Sequence, residues 1–154
     1  MSKKLLFLMI SAFLSAAFLL PAQQPQPAPA GNALQAEAKA PAEKFIVYYF
    51  MTSTRCPSCH KIENYTRDTV AEKFAEQLKN GTMEWKMVNT DEKANEHYID
   101  DYKLFTKSVI LSRVVDGKEV SFKNLDKVWQ LLNNEKKFRD YIEKEVREFI
   151  KEKK

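Results

Sequence analysis

Lys44-Phe45-Ile46-Val47-Tyr48-Tyr49-Phe50-Met51, then Thr52-Ser53-Thr54-Arg55, then Cys56-Pro57-Ser58-Cys59-His60, is the stretch on which the fold turns. After Lys44 it is a continuous β-branched and aromatic run. It is short enough for a strand and apolar enough to be buried on both faces, as central parallel strands are. Thr52 to Arg55 break it. Pro57 suits the first turn of a helix, where its missing N–H costs nothing. Ile62, Tyr65, Thr69, Val70, Phe74 and Leu78 then recur at helical spacing up to Asn80-Gly81, a C-terminal stop. A kink at Asp68 would let that residue cap a second segment.

Working outward, 82–89 (TMEWKMVN) alternates as a strand does, and 91–105 is compatible with a helix carrying Ala94, Tyr98, Tyr102 and Phe105 on one face. The β-rich runs 109–115 and 119–122 are joined by Asp116-Gly117-Lys118. Asp-Gly in that place signals a hairpin, because type I′ turns need positive φ. Residues 125–133 and 135–153 read as helices, the last with a stripe of Phe138, Tyr141, Ile142, Val146, Phe149 and Ile150 that needs a sheet to cover. Strands joined through a helix should be parallel, with a right-handed crossover, and the hairpin adds an antiparallel pair. The expectation is an α/β thioredoxin-like fold: a central mixed four-stranded sheet flanked by helices, with the cysteine motif between the first strand and the first helix.

The cysteines sit where that fold gives them chemistry. Cys56 falls at the expected N-cap and Cys59 one turn inside, so both sulfurs lie on one side of the first turn, close enough to bridge. Unpaired N–H groups and the positive end of the helix dipole favour a thiolate at Cys56. Cys56 is therefore the expected attacking sulfur and Cys59 the resolving one. Arg55 can add cationic bias, Pro57 starts the helix, and His60 on its first turn can modulate the thiolate through its charge.

The segment YYFMTSTRCPSCHKIE (48–63) resembles the small exported thioredoxin-like family of bacterial arsenic operons, the ArsF-type family identified as a nitrophenyl compound nitroreductase subunit. The segment LFTKSVILSRVVDGKEVSFKNLDKVW (104–129) also fits its pattern, so the resemblance covers most of 44–135. It implies a thioredoxin fold and a redox role for Cys56 and Cys59. Nothing in the chain resembles a flavin or nicotinamide site, so an electron donor would come from elsewhere. Compared with ordinary thioredoxins, Phe50 stands at a strand position that often holds an acid, and no proline follows Pro57. Lys107, Ser108 or Val109 must occupy the place of the proline that normally faces the disulfide, which makes Ser108 a further candidate modulator.

Two other chemistries compete for the motif. Cys56-Pro-Ser-Cys59-His60 matches the CxxCH attachment signature of c-type haem, with His60 as axial ligand and Met83 or Met87 opposite. Cys56, Cys59 and His60 also offer three ligands to a copper or zinc ion, or thiolates to a metalloid. The other histidine, His97, lies in a charged segment and reads as a surface residue. The favoured reading needs no cofactor and no metal. Trp85, Trp129, Tyr48 and Tyr49 read as packing aromatics.

The N-terminus has its own logic. Lys3 and Lys4 precede a charge-free run from Leu5 to Leu20, which fits a signal peptide over 1–22; an uncleaved anchor is the other reading. Small-residue stops stand at Ala22 and at Ala28-Pro29-Ala30. Residues 23–43 form a Pro/Ala/Gln-rich linker, and 44–154 the thioredoxin-like domain. The expected location is periplasmic or otherwise exported, with 5–20 tethering the chain to the inner membrane if the leader is kept. The expected partner is an exported or membrane redox protein. A net charge of +4, with basic and acidic residues interleaved, argues against nucleic acid. Two cysteines exclude a framework of several disulfides.

Overall fold

The computed structural model describes residues 42–152. The leader and most of the linker expected from the sequence lie outside those residues. No helix among the described residues is long and apolar enough to cross a membrane.

The elements run β1 (Glu43–Met51), α1 (Pro57–Lys73), α2 (Ala75–Lys79), β2 (Met83–Asn89), α3 (His97–Asp101), β3 (Ser108–Val115), β4 (Lys118–Asn124) and α4 (Glu135–Lys151). The four strands form one mixed sheet in the order β2-β1-β3-β4. β1 pairs parallel with β2 and antiparallel with β3, and β3 pairs antiparallel with β4. This is the thioredoxin-like layout expected from the sequence.

β1 reads as an unbroken apolar run because both of its faces are covered. Val47 and Tyr49 point into a core completed by Ile62 and Val70 of α1 and Phe138, Ile142 and Val146 of α4. Tyr48 and Phe50 point the other way, against Tyr98, Tyr102 and Leu104 from the α3 region. The stripe on α4 buries Phe138, Ile142, Val146 and Phe149, as its periodicity predicts.

The hairpin turn is type I′: Asp116 has φ 49° and Gly117 φ 78°. Just beyond it the ladder slips between Arg113 and Val114. Val114 faces Glu119 and Arg113 faces Ser121, which leaves Val120 as the extra residue of a bulge.

Three helical expectations are corrected. The first helix does not kink at Asp68. It breaks further on, at Phe74, whose side chain is buried in the core while Asp68 is exposed and paired with Arg67. Residues 91–105 do not make one helix: a single 3-10 turn at Lys93–Asn95 precedes the short α3. α3 is stopped by Lys103 at φ 53°, where Lys103 N–H bonds to Asp100 O and Leu104 N–H to Ile99 O, a Schellman closure. Residues 125–133 hold only the 3-10 turn Asp126–Val128. There the apolar positions Leu125 and Val128 are buried from a loop, and the Trp129 indole N–H donates to the Lys107 carbonyl at 2.9 Å. Asn134 then caps α4 by accepting from Lys137 N–H at 2.9 Å.

Candidate active site at the start of the first helix

β1 delivers the chain to the sheet's C-terminal edge, and Thr52–Arg55 carry it across to α1. That crossing is tied to the end of β2. Ser53 N–H donates to Asp91 Oδ2 at 2.8 Å, Asn89 Nδ2 donates to Ser53 Oγ at 3.1 Å, and Thr90 N–H donates to Met51 O at 2.8 Å. The sequence showed this loop only as polar composition.

Cys56 is the N-cap of α1, with φ −107° and ψ 161°. Its sulfur accepts from Cys59 N–H at 3.2 Å, and its carbonyl takes His60 N–H at 3.1 Å to close the first turn. Pro57 stands inside the start of the helix, where no donor is lost. Cys56 and Cys59 are joined by a disulfide, with Cα atoms 5.0 Å apart. Cys59 is 1 % exposed whereas Cys56 is half-buried, so Cys56 carries the more accessible sulfur.

Tyr49 does more than pack. Its hydroxyl donates to the Cys59 carbonyl at 2.8 Å from a fully buried ring. Burial pushes this phenol up to about 12, outweighing the nearby Arg55 charge. The signal available in sequence was a tyrosine where a buried strand needs only a hydrocarbon.

Arg55 turns back along the helix rather than standing free. Its guanidinium pairs with Glu63, donates to Met51 Sδ at 2.8 Å, lies 3.5 Å from His60 Nδ1 and sits 5.9 Å over the Tyr49 ring. Glu63, unremarked in the sequence, therefore opposes the positive charge expected to favour the Cys56 thiolate. His60 itself is exposed.

Ser108 opens β3 opposite Phe50, is 6 % exposed, and donates its hydroxyl to Thr106 O at 2.9 Å. Phe50 is buried against Tyr48, Tyr98 and Tyr102, so the position that often holds an acid is apolar throughout. A cavity of about 260 Å³ opens beside it, between Met51-Thr52 and Leu104–Lys107, and Phe105 at its margin is 96 % exposed.

The residues fit the competing chemistries poorly. Met83 is buried and pairs with Phe45, at the end of β1 away from the motif. Six residue steps along β1 lead from Phe45 to Met51, about 20 Å at roughly 3.3 Å each, so Met83 lies at the opposite end of the strand from the loop that leads to Cys56. Met87 lies exposed on the edge strand β2. Among the described residues no three His, Cys, Asp or Glu side chains gather as a metal site. His97 is exposed on α3, across the sheet from α1.

No protein-family model matches the chain. No curated protein matches it either. Among solved structures it is similar to one described as a malarial protein, at 15 % identity and a TM-score of 0.36, over 60 % of this chain and 97 % of that one. It is also similar to Fasciola hepatica thioredoxin, at 23 % identity and a TM-score of 0.32, over 64 % of this chain and 78 % of that one.

Proposed function

We propose that the chain is an exported thiol–disulfide redox protein that exchanges electrons with a partner protein through Cys56 and Cys59. The observation that carries this reading is the disulfide across the first turn of α1, with its N-cap sulfur reachable and its second cysteine buried. In the reduced form the Cys56 thiolate attacks one sulfur of a partner disulfide. A mixed disulfide forms and the partner's other sulfur leaves as a thiolate. Cys59 then loses its proton and attacks Cys56 Sγ, closing Cys56–Cys59 and releasing the second partner thiol. Two electrons pass to the partner, and the reverse sequence oxidises a partner dithiol.

Within this class we read the chain as the arsenic-operon type, delivering electrons to an exported or membrane redox partner. The resemblance over most of 44–135 supports that assignment, and the absence of proline beyond Pro57 and the apolar Phe50 set the chain apart from ordinary thioredoxins. The charge-free run at 5–20 after Lys3 and Lys4 supports export, with the proline-rich segment as spacer.

Cysteine variants test the mechanism. Cys56→Ser abolishes turnover of a model protein disulfide such as insulin, and Cys59→Ser accumulates a mixed disulfide visible on non-reducing gels. Full activity in both variants would refute the assignment.

A further inference from the structure

We propose that the sheet face turned away from α1 binds a small organic cation, an alkylammonium or quaternary ammonium group, between the rings of Tyr48, Tyr98 and Tyr102 and the carboxylates of Asp101 and Glu119. These side chains line a cavity of about 570 Å³, a volume in the usual range for small-ligand sites. This site is separate from the disulfide chemistry.

The walls are aromatic. The Tyr98 and Tyr102 rings are parallel within 3° and 5.7 Å apart, and Tyr48 leans on them at 6.0 and 6.2 Å. Ring faces carry the negative part of the aromatic quadrupole and attract cations. Asp101 and Glu119 are the charged residues of the lining, and both are acidic. Among the described residues neither forms an ion pair, whereas Glu63, Glu72, Glu84 and Glu145 each do.

Glu119 is aimed rather than loose. Residues 119 and 122 would face opposite sides of a regular strand. The bulge at Val120 changes that parity, so Glu119 opposite Val114 and Phe122 opposite Ser112 share the Tyr102 face. Re-aiming a side chain in this way is a recognised use of bulges. Glu119 Oε2 accepts from the Tyr102 hydroxyl at 2.5 Å and from the Ser112 hydroxyl, which fixes the carboxylate beside the rings. An anion would meet two carboxylates here, and a purely apolar guest would strip water from them without replacing it. A cation with a hydrocarbon coat satisfies both walls.

The test is a tyrosine-resolved NMR titration of the full chain with choline and with its neutral isostere, 3,3-dimethyl-1-butanol. Choline should give saturable shifts at Tyr98 and Tyr102 and bind about tenfold more tightly than the isostere. Glu119→Gln keeps an acceptor for Tyr102 and Ser112, and should remove most of that preference. The exposed Asp101→Asn gives an independent reading if Glu119→Gln perturbs the fold. Equal binding of choline and isostere, no saturable shift, or an unchanged preference in the folded variants would overturn the proposal.

Discussion

The Tyr49 hydroxyl donates to the Cys59 carbonyl, joining the buried centre of β1 to the first turn of α1. The helix end that carries the disulfide is thus held by the core as well as by its own cap. Replacing Tyr49 by Phe keeps the ring and removes one buried hydrogen bond, so stability should fall by about 1 kcal/mol. Urea unfolding of the oxidised protein measures this; an unchanged midpoint would mean the bond contributes nothing.

The same residue makes stability depend on alkaline pH. Burial raises the folded Tyr49 phenol to about 12 from an ordinary 10.0, and burial likewise raises Tyr141 to about 12. The unfolded phenols lose their protons first, so their contribution is complete below pH 10 and is lost as pH rises towards 12. Unfolding midpoints measured across that window should fall with pH, and less steeply in Tyr49→Phe. Parallel slopes would contradict the assignment.

Glu63 opposes Arg55 beside the helix end. Glu63→Gln leaves the guanidinium unopposed there, which favours a thiolate at the reduced Cys56. Alkylation of reduced Cys56 by iodoacetamide at neutral pH should therefore speed up several-fold. A rate equal to that of the unmodified protein would show that the pair does not reach the sulfur.

Lys103 holds a left-handed conformation at the end of α3, with φ 53°. Glycine adopts it without a Cβ penalty, so Lys103→Gly should raise stability by roughly 0.5–1 kcal/mol. Thermal unfolding checks the sign, and destabilisation would mean that the side chain has a role beyond the turn.

The readable parts of the sequence were those where local chemistry and tertiary demand agree. A strand buried on both faces must be apolar throughout, a proline within a helix is tolerated in the first turn, where Pro57 stands, and Asp116-Gly117 suits few turns besides type I′. Apolar residues at helical spacing over 91–105 and 125–133 overstate the helix there, because a packed loop supplies the same pattern. Leu125 and Val128 reach the core from a 3-10 turn. Side-chain partners across the fold were not legible at all. Nothing local to Glu63 points to Arg55, and nothing in 118–124 shows that a bulge turns Glu119 towards Tyr102.

The most direct test of the central claim is the intact mass of the purified full chain, alkylated with and without prior reduction. A reversible Cys56–Cys59 disulfide predicts no alkylation before reduction, both cysteines alkylated after it, and no other attached mass. Cysteines still blocked after reduction, with the mass of a haem attached, would contradict the thiol–disulfide account, and so would two thiols free without reduction and inert to oxidants.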